Sequence, residues 1–138
     1  MNIRTLTATV LLSLAATTPA LAQTTERNGI LADASGRSLY TFDKDQAGKS
    51  NCSAACLSAW PAFMAQADAK PGGSLSLIER EGGRQWAVNG KPLYYFAGDA
   101  QPGDRAGDGS GGVWHLVPTG TAQPARAAAS AGNKRYDY

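Results

Sequence analysis

The chain is short of the residues from which most catalytic sites are built. Of its 138 residues, one is histidine, two are cysteine and two are methionine. The single histidine, His115, has no serine or cysteine near it in sequence to complete a nucleophile arrangement. There is no glycine-rich phosphate loop leading into a helix, and no zinc-ligand spacing. Hydrolase, nucleotide and structural-zinc chemistry therefore have no support in the pattern, and the expectation is a protein that is not an enzyme. Lysine and arginine form no cluster, which argues against nucleic acid as a partner. After the first residues, no apolar run approaches the roughly 20 residues needed to span a bilayer.

The N-terminus carries Arg4, an apolar run from Leu6 to Ala16, and then Pro19-Ala20-Leu21-Ala22 before Gln23. This is the pattern of a secretory signal peptide over residues 1–22, with an A-x-A cleavage site after Ala22. No cysteine lies near that site, so a lipid anchor of the bacterial lipoprotein kind has no point of attachment. The expected location is the periplasm or the medium. Losing Arg4 with the signal takes the formal charge from 13 − 11 = +2 to 12 − 11 = +1. One domain of this size buries a modest core, so a covalent staple helps it. Cys52 and Cys56, the only cysteines, read as one disulfide in an oxidising compartment.

Residues 23–28 are polar and read as a lead-in. From Gly29 onward, short apolar runs are broken by Gly, Asn, Asp and Ser, the punctuation of an antiparallel β protein. Strands are expected at about Ile30 to Asp33, Ser38 to Phe42, Leu75 to Arg80, Arg84 to Val88, Leu93 to Phe96 and Val113 to Val117. Asn89-Gly90 is the strongest turn signal, since a two-residue type I′ hairpin needs positive φ at both central residues. Ser35-Gly36 occupies the corresponding place earlier, and Glu81-Gly82-Gly83 turns the chain between two further strands. "SNCSAACLSAWP" predicts one or two helical turns capped by Ser50 or Asn51 and closed by Pro61. Residues 65–74 read as a linker, and residues 119–138 as a disordered, flexible C-terminal tail without apolar periodicity.

The chain contains a repeat. Aligning Gly36 with Gly90 pairs Leu39 with Leu93, Tyr40 with Tyr94, Phe42 with Phe96 and Asp45 with Asp99, and at the same offset Trp60 falls on Trp114. Identities confined to Gly, Leu, aromatic and Asp positions indicate an internal duplication over 36–60 and 90–114. In a strand, Tyr40 and Phe42 share one face while Leu39 and Thr41 share the other. Each unit then gives a Tyr-Phe pair to a common core, and Trp60 or Trp114 returns after the loop to cover it. Asp45 and Asp99 fall where the strand ends. There they accept hydrogen bonds from the backbone of the next turn or from a buried tyrosine hydroxyl.

The Tyr-x-Phe-x-x-Asp motif occurs at Tyr40, Phe42 and Asp45, and again at Tyr94, Phe96 and Asp99. "GKSNCSAACLSAWP" follows the first copy and "PGDRAGDGSGGVWHL" the second. Over roughly Gly29 to Pro118 the chain resembles the secreted repeat lipoproteins with a Yx(F/W/Y)xxD motif. It departs from that family's name in lacking a lipobox cysteine. The resemblance implies an exported bacterial protein of unknown biochemical function.

Two places invite chemistry. Asp99, Asp104 and Asp108 lie on a Gly-rich loop, residues 99–112, close in sequence to His115. Hard oxygen ligands on such a loop suit Ca²⁺, though the spacing matches neither an EF-hand nor a glycine-aspartate repeat, and tight turns use the same composition without an ion. Cys52 and Cys56 admit three readings: a structural disulfide, a redox-active pair without C-x-x-C spacing, or a Cu(I) site with His115 and Met64. The fold expected is a small antiparallel β domain, residues 29–118, made of two hairpin-plus-loop repeats and one short helix. The function expected is non-enzymatic binding of an envelope component or small ligand. Metal handling or thiol redox chemistry is the alternative.

Overall fold

The computed structural model describes residues 23–120. The expected signal peptide lies outside these residues, as does the tail from residue 121 on. Among the described residues there are seven short strands, one α-helix and a 3-10 turn at Ser110–Gly112: β1 (Thr24–Arg27), β2 (Ile30–Asp33), β3 (Tyr40–Phe42), α1 (Ala54–Ala59), β4 (Leu75–Arg80), β5 (Gly83–Val88), β6 (Lys91–Pro92) and β7 (Trp114–Leu116). All the strand pairings are antiparallel: β1 with β2, β3 with β7, and β5 between β4 and β6.

Two Asn-Gly steps shape the hairpins. Asn89 and Gly90 both have positive φ, 49° and 78°, and join β5 to β6 in the mirror-image turn that the strand twist favours. Asn28 and Gly29, at 51° and 79°, do the same between β1 and β2. That second turn shows why residues 24–27, expected as a lead-in, form a strand. With the chain reversed at Asn28-Gly29, each residue from Thr24 to Arg27 lies opposite one from Ile30 to Asp33.

Three further expectations are corrected. Residues 93–96 form no strand, because successive N–H groups go to three different segments: Leu93 to Trp86 O, Tyr94 to Tyr40 O and Tyr95 to Pro61 O. A ladder needs one continuous partner, and here there is none. The helix begins after Ser53, not Ser50 or Asn51, and no side chain caps it. Ser50 Oγ instead lies 2.6 Å from the Tyr94 hydroxyl, and the Asn51 side chain donates to Lys44 O, so both candidate caps are engaged elsewhere. The turn at Ser35-Gly36 is built on Asp33, whose Oδ1 accepts from the N–H groups of Ser35 and Arg37, and is not a two-residue hairpin.

The core has two faces, divided as the strand alternation predicts. Leu39 and Leu93 pack with Phe63, Trp86 and Val88 on one side. Tyr40 and Tyr94 pack with Cys52, Trp60 and Trp114 on the other. The structure is mainly β, with two repeats in small antiparallel sheets and one short helix.

Candidate functional site: the exchanged tyrosine, aspartate and tryptophan

The two units are interlocked. The motif strand of unit 1 (residues 24–64) pairs with the returning strand of unit 2 (residues 75–118), with Tyr40 opposite Leu116 and Phe42 opposite Trp114. Adding or subtracting 54 generates the reciprocal contact, a bridge between Tyr94 and Ala62. Backbone bonds obey the same operation: Asp43 N–H donates to Val113 O at 2.8 Å, and Ala97 N–H donates to Ala59 O at 2.8 Å. Between these pairs, Tyr40 and Tyr94 exchange both of their backbone hydrogen bonds, at 2.9 and 3.0 Å. The duplication therefore folds about a local pseudo-two-fold centred on the two motif tyrosines.

Side chains follow that symmetry. The Tyr40 hydroxyl donates to Asp99 Oδ2 at 2.7 Å, and the Tyr94 hydroxyl donates to Asp45 Oδ2 at 2.7 Å. Each motif thus uses its tyrosine to satisfy the other motif's aspartate. The second carboxylate oxygen holds the turn: Asp45 Oδ1 accepts from Asn51 N–H at 2.6 Å, and Asp99 Oδ1 from Ala106 N–H at 2.9 Å. Both donors named from sequence, the backbone of the following turn and a buried tyrosine hydroxyl, are in use at once. The hydroxyl, however, comes from the opposite unit.

The rings stack in the order Phe96, Trp60, Trp114, Phe42. Trp60 and Trp114 are parallel within 3° at 3.8 Å. Phe96 lies 4.5 Å from Trp60, and Phe42 4.3 Å from Trp114. Each Trp also meets its own unit's tyrosine edge-on, Tyr40 at 5.4 Å and Tyr94 at 5.2 Å. Each tryptophan therefore covers the other unit's phenylalanine as well as its own tyrosine. Such ring pairs contribute about 0.5–1.5 kcal/mol each beyond burial of area. Gly107 closes the stack, since a Cβ there would sit 2.7 Å from Trp60 Cη2 and 2.8 Å from Phe96 Cγ.

Burial decides the electrostatics. It raises the pKa of Tyr40 and Tyr94, and the carboxylate each one faces raises it further. For Asp45, burial outweighs the lowering effects of Asn51 N–H, the Tyr94 hydroxyl and the Arg80 charge, and its pKa is raised. A third pair of the same kind, Tyr95 donating to Asp33 Oδ2 at 2.8 Å, lies outside the motif. Burial opposes ionisation of Asp33 too, but hydrogen bonds from Ser35, Arg37 and Tyr95 together hold its pKa below the usual carboxylate value. Nothing in the repeat alignment marks that pair, because Asp33 aligns with Ala87 and Tyr95 with Thr41.

The residues considered as metal ligands are dispersed. Asp99 is committed to Tyr40 and Ala106. Asp104 Oδ2 accepts from Ala100 and Gln101 N–H, and Asp108 Oδ1 from Leu116 N–H. His115 Nε2 lies 2.7 Å from Asp43 Oδ2, a partner not singled out from sequence, and both side chains are about half exposed. Among the described residues no three of His, Cys, Asp and Glu converge on one point. Cys52 and Cys56 are bonded to each other, with Cα atoms 5.3 Å apart. Cys52 is buried against the ring stack.

Two β units that exchange their returning strands, aromatic rings and hydroxyl-carboxylate pairs define a duplicated repeat protein whose motif is an interlock. The chain belongs to the family Lipoprotein_15, a secreted repeat of unknown function, whose model matches twice, at residues 23–64 and 76–118. It is thus an exported protein of a family without an assigned activity. The first match begins one residue before β1, so the repeat reaches back to the segment expected as a lead-in. No curated protein and no solved structure matches the chain. Among the described residues, no helix is long and apolar enough to cross a membrane.

Proposed function

We propose that this is a non-enzymatic binding protein of the cell envelope, periplasmic or released, whose partner is met by the features the two units do not share. The observation that supports this is the use of the motif itself. Every polar group of the Tyr40, Asp45, Tyr94 and Asp99 side chains is occupied: the hydroxyls and Oδ2 atoms join one unit to the other, and each Oδ1 holds the turn of its own unit. A constellation repeated within one chain invites a catalytic reading, but these carboxylates and hydroxyls face each other and backbone N–H groups.

Function then falls to what breaks the symmetry. Unit 1 has the disulfide loop, bordering an open cleft of about 500 Å³ with Ser50, Ser53, Arg80 and Glu81 in its wall. Near the end of unit 2, His115 and Asp43 border a second cleft of about 380 Å³ with Thr41, Asn89 and Lys91. At the positions equivalent to Asp43 and His115, the other half of the repeat has Ala97 and Pro61. Surface that differs between copies is free of the constraint that the interlock places on both.

Native mass spectrometry of the mature protein purified from its own compartment, followed by a denatured run, tests this reading. The expected result is a metal-free chain beginning at Gln23, with the cysteine pair oxidised and a protein or small-molecule partner retained under gentle conditions. A stoichiometric Ca²⁺ or Cu ion, or free thiols, overturns it in favour of metal handling or redox chemistry.

A further inference from the structure

The interlock has no feature that requires its two halves to belong to one chain. All of its principal contacts run between units: β3 with β7, Tyr94 with Ala62, Tyr40 with Asp99, Tyr94 with Asp45, and Trp60 with Trp114. What keeps the partners in one molecule is the segment joining them, residues 66–74. It is mostly exposed, and a Cβ at Gly72 or Gly73 would touch nothing. We propose that the same interface accepts a second copy of this chain, unit 1 of each copy closing on unit 2 of the other, and that the length of residues 66–74 selects the closed monomer.

The geometry of the segment supports this. At one end Ala65 N–H bonds Arg84 O on one edge of β5, and Trp86 N–H on that edge bonds Phe63 O. At the other end, Leu75 starts β4 on the opposite edge of β5, facing Val88. The connection therefore crosses two strand spacings and four residues of strand length, about 16 Å in all from standard sheet dimensions. Residues 66–74 give ten Cα steps, about 35 Å at full extension, so the crossing is made with slack. Without Asp68–Gly73, four steps remain and reach about 14 Å at most. The closed monomer then cannot form without breaking strand pairing. Exchange between copies keeps every inter-unit contact, which is the condition under which swapping costs little.

The test uses the mature chain lacking Asp68–Gly73, with Thr41→Cys and His115→Cys as a reporter. These residues are directly opposed across β3 and β7, at a separation that antiparallel pairing makes compatible with a disulfide. In the parent length the cross-link forms within one chain. In the shortened chain, light scattering is expected to give twice the monomer mass, and non-reducing electrophoresis a covalent dimer. The near-ultraviolet dichroism of the Trp60 and Trp114 pair should match that of the parent. A shortened chain that is a folded monomer with an internal cross-link overturns the proposal. If the shortened chain does not fold, the parent-length reporter decides, refolded near the effective concentration of a short flexible linker, about 1 mM. Cross-chain links at that concentration and none on dilute refolding uphold exchange, and internal links alone at both concentrations overturn it.

Discussion

Units 1 and 2 carry the chain from the motif aspartate back to the tryptophan over the same number of residues, Asp45 to Trp60 and Asp99 to Trp114, by different means. Unit 1 uses helix α1 and the Cys52 to Cys56 bridge. Unit 2 has no α-helix there. Its path is held by Asp104 and Asp108 accepting from backbone N–H groups, and by glycines at positive φ such as Gly103 and Gly109. The end points agree because both are fixed by the opposite unit: the aspartate by a tyrosine hydroxyl, the tryptophan by its twin. Between those points the path is free, and that is where the two copies have diverged.

The ring stack offers the largest break in this comparison. Trp60→Ala and Trp114→Ala remove equivalent rings, so each is expected to cost about 3–5 kcal/mol. Urea unfolding followed by far-ultraviolet dichroism measures both. The expected result is two similar losses despite the dissimilar loops that deliver the rings. A loss confined to one variant would mean that the stack belongs to one unit and not to the interface.

The hydroxyl-carboxylate pairs should separate the units. Asp99 is only 9% exposed, and Tyr40→Phe leaves its Oδ2 without a donor. A buried charged acceptor left in that condition costs about 2–3 kcal/mol. Tyr94→Phe leaves Asp45 in a more open place, beside Asn51 N–H and within reach of the Arg80 charge, and about 1 kcal/mol is expected. Thermal and urea unfolding of both variants should rank Tyr40→Phe as the more damaging. The reverse order would show that exposure of the carboxylate does not set the cost.

How far this architecture was legible depended on whether a signal was local. The Tyr, Phe, Asp and Trp of each copy, their alternation against Leu39 and Leu93, and the Asn89-Gly90 turn could all be read because spacing alone carries them. The exchange between units could not, since an alignment of repeats says which residues are equivalent and not which copy they touch. Strand 93–96 failed for a related reason: its composition suits a strand, but its backbone is shared among three partners. The Asn28-Gly29 hairpin was open to the same argument as Asn89-Gly90, and polar neighbours obscured it. Asp43 carried no signal. It becomes notable only once β3 and β7 bring it to His115.

The most local expected effect concerns the bridge that only unit 1 possesses. A loop as short as Cys52 to Cys56 restricts the unfolded chain modestly, and the chain-entropy relation gives about 2 kcal/mol for its removal. The Cys52→Ser, Cys56→Ser double variant should therefore stay folded, with the loss concentrated near the bridge. Asn51 N–H, held at 2.6 Å by Asp45, reports unit 1, and Ala106 N–H, held at 2.9 Å by Asp99, reports unit 2. Hydrogen exchange should show faster opening at Asn51 in the double variant and little change at Ala106. Equal acceleration at both amides would indicate that the interlock transmits the state of one loop to the other. An unchanged Asn51 would mean that Asp45 alone holds the turn, as Asp99 does in unit 2 without a bridge.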